Sequence, residues 1–189
     1  YEPAPAKAGG RFTAYTTADG LSSDLVFSVH GTRDGAIWAG TYAHGLNRFA
    51  DGRFTTFTTA DGLPADGVFA LYEDTAGDLW IGTDAGLGRY RDGLFTTFTT
   101  ADGLASDLVS TFTESRAGGL WVGTYDGGLD HFRHDASGGH VVAHYDTDDG
   151  LLSNYVLSLY EDETGALWIS TREGGLHRLK DGRLTAYTT

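Results

Sequence analysis

Apolar stretches of four to seven residues recur along this chain, bounded by Gly, Asp or Ser and rich in Val, Ile, Thr, Tyr, Phe and Trp. Stretches so short and so composed predict β-strands rather than helices. The first four begin at Leu25 ("LVFSVHG"), Ala36 ("AIWAGT"), Gly45 ("GLNRF") and Arg53 ("RFTTFTT"). The same order returns three more times, opening at Val68, Val109 and Val156. The gaps leave no room for helical crossovers, so neighbouring strands are expected to pair antiparallel as a meander.

Two markers set the phase. Tryptophan stands at 38, 80, 121 and 168, and "DGL" begins at 19, 61, 102 and 149; both series step by 42, 41 and 47. Four short strands per unit at this period are the pattern of a β-propeller blade. The expected fold is all-β: a propeller of four-stranded antiparallel blades, four in this chain, with a larger ring of seven or eight left open. Blades are expected at about 25–59, 67–100, 108–147 and 155–189, after a Pro/Ala linker at 1–10. Residues 11–17, "RFTAYTT", match the terminal "RLTAYTT" in six of seven letters. Every blade already has its own outer strand, so 11–17 is one too many. It is expected to dock on a neighbouring blade or to lie unpaired as an edge.

Trp38, Trp80, Trp121 and Trp168 each precede by two positions a small residue: Gly40, Gly82, Gly123 or Ser170. Period-two alternation puts both on one face, where the small residue is expected to leave room for a ring of that face or of the adjoining blade. The Thr-rich fourth run suits an outer strand that meets water.

The segments "FTTADGL", "LYEDTAGDLWIGTDAGLGRYRDG" and "LYEDETGALWISTREGGLHRLKDG" closely resemble the two-component regulator propeller repeat of extracytoplasmic sensor regions in bacterial hybrid histidine kinases. The resemblance covers residues 11–189. It implies a ring of about seven blades, a periplasmic or extracellular location, recognition of oligosaccharides or similar small polar ligands, and no shared catalytic residues. Four units without a kinase or membrane part depart from that pattern. The turns "GTRDGAIW", "EDTAGDLW", "SRAGGLW" and "EDETGALW" are also similar to the Asp-box of sialidase-like propellers, a structural hairpin device.

Charge and composition narrow the field. Against 26 acidic residues stand 13 basic ones, a net charge of −13 that repels phosphate backbones and anionic membranes, so no nucleic-acid partner is expected. Cysteine is absent, which removes disulfides and thiolate chemistry, and no cofactor is called for. No run of about 18 apolar residues is present for membrane insertion. The chain starts on Tyr1, and "YEPAPAKAGG" lacks the apolar core of a signal peptide, so it reads as a processed chain or an excised segment.

Candidate chemistry concentrates where the repeat varies beside constant positions. The loops between second and third strands offer Tyr42, His44, Asp84, Tyr125, Asp126, Arg172 and Glu173 around the mouth of a central channel. Aromatic faces for sugar C–H surfaces and charged groups for hydroxyls suit a carbohydrate; the alternative is a set of solvated loop tips. His131, His134, His140 and His144 gather in the third unit, but His131 and His144 are expected on strands and the other two on a Ser/Gly-rich loop, which favours a decorated hairpin over a zinc site. Glu73 with Asp74, and Glu161 with Asp162, precede tight turns and read as turn caps rather than as acid–base pairs. Arg48, Arg89 and Arg178, with His131 in register, suggest a repeated ion pair or aromatic stack.

The leading expectation is a non-catalytic ligand-recognition module. The alternatives are an assembly tile that self-associates through its terminal strands to complete a larger propeller, and a lyase-like propeller using His44 with Asp84 or Glu173.

Overall fold

A computed structural model describes residues 12–135 and 138–188; the linker expected at 1–10 lies outside them. Blade one consists of β1 (Val26–Gly31), β2 (Ile37–Thr41), β3 (Leu46–Ala50) and β4 (Arg53–Phe57). Blade two is β5 (Val68–Glu73), β6 (Leu79–Thr83), β7 (Gly86–Arg91) and β8 (Leu94–Phe98). Blade three is β9 (Val109–Glu114), β10 (Leu120–Thr124), β11 (Leu129–Asp135) and β12 (Gly138–Tyr145). Blade four is β13 (Val156–Glu161), β14 (Leu167–Thr171), β15 (Gly175–Lys180) and β16 (Arg183–Tyr187). Each set forms one antiparallel sheet in chain order. The fold is an all-β array of four propeller blades.

Local chemistry sets each turn. Between the last two strands of a blade, Asp51-Gly52, Asp92-Gly93 and Asp181-Gly182 all adopt positive φ, the requirement of a two-residue hairpin that keeps the strand twist. Between the first two strands, a polar side chain closes the turn. Asp74 accepts the N–H groups of Ala76 and Asp78, both at 2.9 Å, and the indole N–H of Trp80 at 2.8 Å. Asp162 repeats this with Thr164, Ala166 and Trp168. The second acids of both pairs are thus turn caps. The first three "DGL" turns are one-turn 3₁₀ segments with a capping box, as at Thr58 and Asp61, ended by left-handed Gly62 at φ 99°.

Blades touch through β1, β5, β9 and β13, packed side by side in that order, and through the second strand of each blade against the first strand of the next. The first strands are therefore the inner end of a fan. The glycine two residues after tryptophan is the point of contact. A Cβ on Gly40 would lie 2.4 Å from Cγ1 of Val68, and one on Gly123 2.5 Å from Cγ1 of Val156. The space expected for an aromatic ring is filled by the next blade's valine; at Gly82 both Val109 and the Phe112 ring approach. Val68, Val109 and Val156 are fully buried, each contributing about 1.5–3 kcal/mol on burial.

A second clasp crosses each junction at the opposite ends of the inner strands. The carboxylates of Glu73, Glu114 and Glu161 accept the backbone N–H of Arg33, Thr75 and Arg116 in the preceding blade. The repeated cations resolve into aromatic partners. Arg48 lies over Trp38 and Arg178 over Trp168, while His131 stacks on Trp121 at 4.3 Å. Arg89 departs, meeting His134 and the buried Asp78 instead. Residues 12–16, expected as an outer strand, join no ladder among the described residues, because no third strand lies beside them.

Two outcomes follow. Gly123→Ala is expected to destabilise the chain by about 1–3 kcal/mol in denaturant unfolding, with part of the loss recovered when Val156→Ala is added. The second concerns acid. Hydrogen bonds from Thr32, Arg48 and Ala36 hold the Asp34 carboxyl at about 2, against an ordinary 3.8, and the turn of Asp162 lowers that group as well. A folded value below the unfolded one gives stability that is present above pH 3.8 and lost as pH falls toward 2. The melting temperature should drop across that window, and Asp34→Asn should flatten part of the drop.

Candidate functional site

The meander puts two sets of loops at one end of the fan: those entering each inner strand and those joining second to third strands. The latter are pinned by a threonine. The hydroxyls of Thr41, Thr83 and Thr124 donate to the carbonyls of Gly45, Gly86 and Gly128 at 2.8 to 3.0 Å. The N–H groups of those glycines donate to the carbonyls of Asp66, Asp107 and Asn154, which enter the next blade. The first three of these loops are thus tied both to their own strand and to the next blade, whereas the Thr171 hydroxyl of blade four has no hydrogen-bond partner.

A further brace supports the entering loops. The side chain of Asn47 accepts the N–H of Ser22 at 3.0 Å, Asp130 accepts that of Ala105 at 2.8 Å, and His177 accepts that of Leu152 at 3.1 Å. In blade two the loop residue is Pro64, which has no N–H, and the facing residue is Gly88, with the proline ring 3.1 Å from where a Cβ would sit. Asp130 is almost wholly buried, and burial raises its carboxyl above the usual range against the hydrogen bonds from Ala105 and His144. His144 bridges Asp130 at 2.8 Å and Asp146 at 3.4 Å.

At the top of every inner strand the ladder slips by one residue. The extra residue is Phe27, Phe69, Ser110 or Leu157. Such a bulge re-aims a side chain out of the sheet. Here it builds a continuous aromatic belt. Phe27 lies 5.5 Å from Tyr42 and 5.9 Å from Phe69. Phe69 lies 6.0 Å from Tyr125, and Tyr125 lies 4.6 Å from Tyr155. The Arg172 guanidinium sits over Tyr155 at 5.3 Å. Burial, and next the neighbouring Tyr155, raise the Tyr125 phenol above its ordinary value, so it is a neutral hydrogen-bond donor at physiological pH.

Of the loop residues singled out in the sequence, Tyr42, Tyr125 and Arg172 stand in this belt. Glu173 adjoins Arg172 at 3.7 Å, and the Asp84 carboxylate lies against Gly67 at the entry to β5. His44 and Asp126 are exposed on their loops, with no hydrogen bond, ion pair or ring contact to the belt among the described residues. Phe27, Phe69 and Tyr155 escaped the sequence reading. The one signal for the two phenylalanines was variation beside a constant valine: Phe, Phe, Ser and Leu after Val26, Val68, Val109 and Val156.

The other end of the fan is committed to structure. A cleft of about 530 Å³ lies there beside Tyr72, Glu114, Tyr160 and Glu161. Its carboxylates already hold Thr75 and Tyr72, or Arg116 and Trp121. No group of three or more His, Asp or Glu with metal-binding geometry occurs among the described residues.

A family model for the two component regulator propeller matches residues 62–85, 103–126 and 150–173, one match per blade junction. These are two component regulator propeller repeats. No curated protein matches the chain. Among solved structures, a chain described as the extracellular domain of a hybrid two component system from B. thetaiotaomicron superposes with a TM-score of 0.81 at 26% identity, over 93% of this chain and 26% of its own. A second such domain from that organism gives 0.80 at 21% identity, over 93% and 27%. The chain thus spans about a quarter of the length of these two. Virginiamycin B lyase from Staphylococcus aureus gives 0.67 at 18% identity, over 87% and 56%, a likeness of fold alone. Among the described residues no helix is long and apolar enough to cross a membrane.

The regulator propeller repeats supply the frame, and the Ser22–Asn47, Pro64–Gly88 braces fit the loops to it. Pro64→Ser restores an N–H opposite a residue that cannot accept it, so it should destabilise the chain by about 1 kcal/mol. Adding Gly88→Asn should recover stability, read as a favourable coupling in a double-mutant cycle of thermal unfolding.

Proposed function

We propose that this propeller array is the ligand-recognition part of an extracytoplasmic sensor, and that it binds an oligosaccharide across the belt without chemistry of its own. The observation that carries this reading is the run of Phe27, Tyr42, Phe69, Tyr125 and Tyr155, in tilted and T-shaped contacts at one end of the fan and ending on Arg172. Sugar rings present C–H faces that stack on such aromatics, while the Tyr125 hydroxyl, Asp84 and Arg172 offer partners for hydroxyls. An extended belt fits a chain of sugars better than a single one. The likeness to extracellular sensor domains supports the location and the role.

The test is a screen of neutral and acidic oligosaccharides by isothermal titration calorimetry. At least one is expected to bind, and Phe69→Ala or Tyr125→Ala should weaken it about tenfold or more, equivalent to about 1.4 kcal/mol. Binding unchanged in both variants, or no glycan bound at all, contradicts the reading.

A further inference from the structure

Three of the four braces under the entering loops are hydrogen bonds, and their acceptors respond differently to a proton. Asn47 offers an amide oxygen, which accepts the Ser22 N–H at any ordinary pH. Asp130 offers a carboxyl group, which keeps an acceptor oxygen for the Ala105 N–H whether ionised or protonated. His177 accepts the Leu152 N–H through Nε2 at 3.1 Å. That contact requires a neutral ring with its proton on Nδ1, because an imidazolium has two donors and no acceptor. Blade four alone is braced by a group that protonation deprives of its acceptor.

The setting of His177 sharpens the difference. The residue is fully buried, and across the sheet it meets Ile169 of β14 and Ala186 of β16, neither of which titrates. The charged groups of the two adjoining loops are engaged elsewhere. Asp146 accepts the N–H of Asp148 at 2.7 Å, Asp149 accepts that of Asp146 at 3.2 Å, and Arg172 pairs with Glu173. Burial lowers the imidazole's pKa from the ordinary 6.5, with the Ile169 backbone opposing. A folded value below the unfolded one gives stabilisation that is present in full above pH 6.5 and lost as pH falls through the folded value.

Leu152 stands under one end of the aromatic belt. A Cβ on Gly174 would lie 3.1 Å from both the carbonyl carbon and the Cβ of Leu152, so the loop that carries Arg172 leans on it. On the same stretch the Tyr155 carbonyl accepts the Arg172 N–H at 2.9 Å. Tyr155 and Arg172, the last two members of the belt, therefore rest on the segment that His177 holds. We propose that His177 is a positioning residue that works as a proton-operated latch. Protonation turns its Nε2 from acceptor to donor against the Leu152 N–H, frees residues 152–155 from β15 and loosens the Tyr155–Arg172 end of the belt. The Phe27–Tyr42 end, whose entering loop is held by Asn47, stays in place. The consequence for an oligosaccharide, weaker binding in acid, rests on the function proposed above; the release itself is a property of the free chain.

Amide hydrogen exchange of the full chain, followed by nuclear magnetic resonance and corrected for intrinsic rates, tests the latch with no ligand present. Between about pH 7.5 and about pH 4.5 the protection of the Leu152 amide is expected to fall about tenfold or more, while that of Ser22 and Ala105 holds. The midpoint should coincide with the titration of the His177 ring. His177→Asn borrows the acceptor of blade one, and it should keep Leu152 protected at both ends of the range. Protection of Leu152 that persists in acid, loss at Ser22 and Ala105 in step with it, or the same pH dependence in His177→Asn overturns the proposal. Acid release in a chain that binds no glycan upholds the latch and sinks only the binding reading.

Discussion

The insertion of one blade's valine into the gap left by the previous blade's glycine is the contact on which the molecule depends. A four-stranded sheet has two apolar faces and cannot bury either alone. Gly40, Gly82 and Gly123 let the inner strands approach closely enough for Val68, Val109 and Val156 to disappear from solvent. With the inner ends held there and clasped by Glu73, Glu114 and Glu161 at one end of the fan, the other end is left to the loops. The contacts that hold the blades together and the proposed site are thereby separated along each strand.

That separation is sharpest at the bulges. The ladder must slip by one residue after each inserted valine, and the slipped residue points away from the sheet. A strand that packs its neighbour with one residue and turns the next toward the loops serves the frame and the proposed site within two positions. Phe27 and Phe69 use this for aromatic rings, whereas Ser110 turns its hydroxyl to the carbonyls of Gly123 and Val156. The belt therefore comes from both the strand tops and the loops, with Tyr42 and Tyr125 meeting the phenylalanines from above.

Much of the frame was legible in the sequence, because its markers recur with fixed spacing: the tryptophans, the glycine two residues on, the Asp-Gly hairpins and "DGL". The ring of loop residues was legible in part, through Tyr42, Tyr125 and Arg172. Phe27 and Phe69 were not, since an apolar residue inside an apolar run reads as core, and a register slip leaves no trace in composition. Nor was the brace at positions 47, 88, 130 and 177. Asn, Gly, Asp and His share no chemistry, and what unites them is a backbone N–H, or its absence at Pro64, about 25 residues earlier.

The central claim is that the slipped residues and the pinned loops form one recognition surface. Nuclear magnetic resonance of the labelled chain, titrated with an oligosaccharide that binds it, tests this most directly. The account predicts shifts confined to Phe27, Phe69, Tyr155 and the loops holding Tyr42, Tyr125 and Arg172. Shifts centred instead on Tyr72, Glu114 and Tyr160, at the opposite end of the fan, would contradict it.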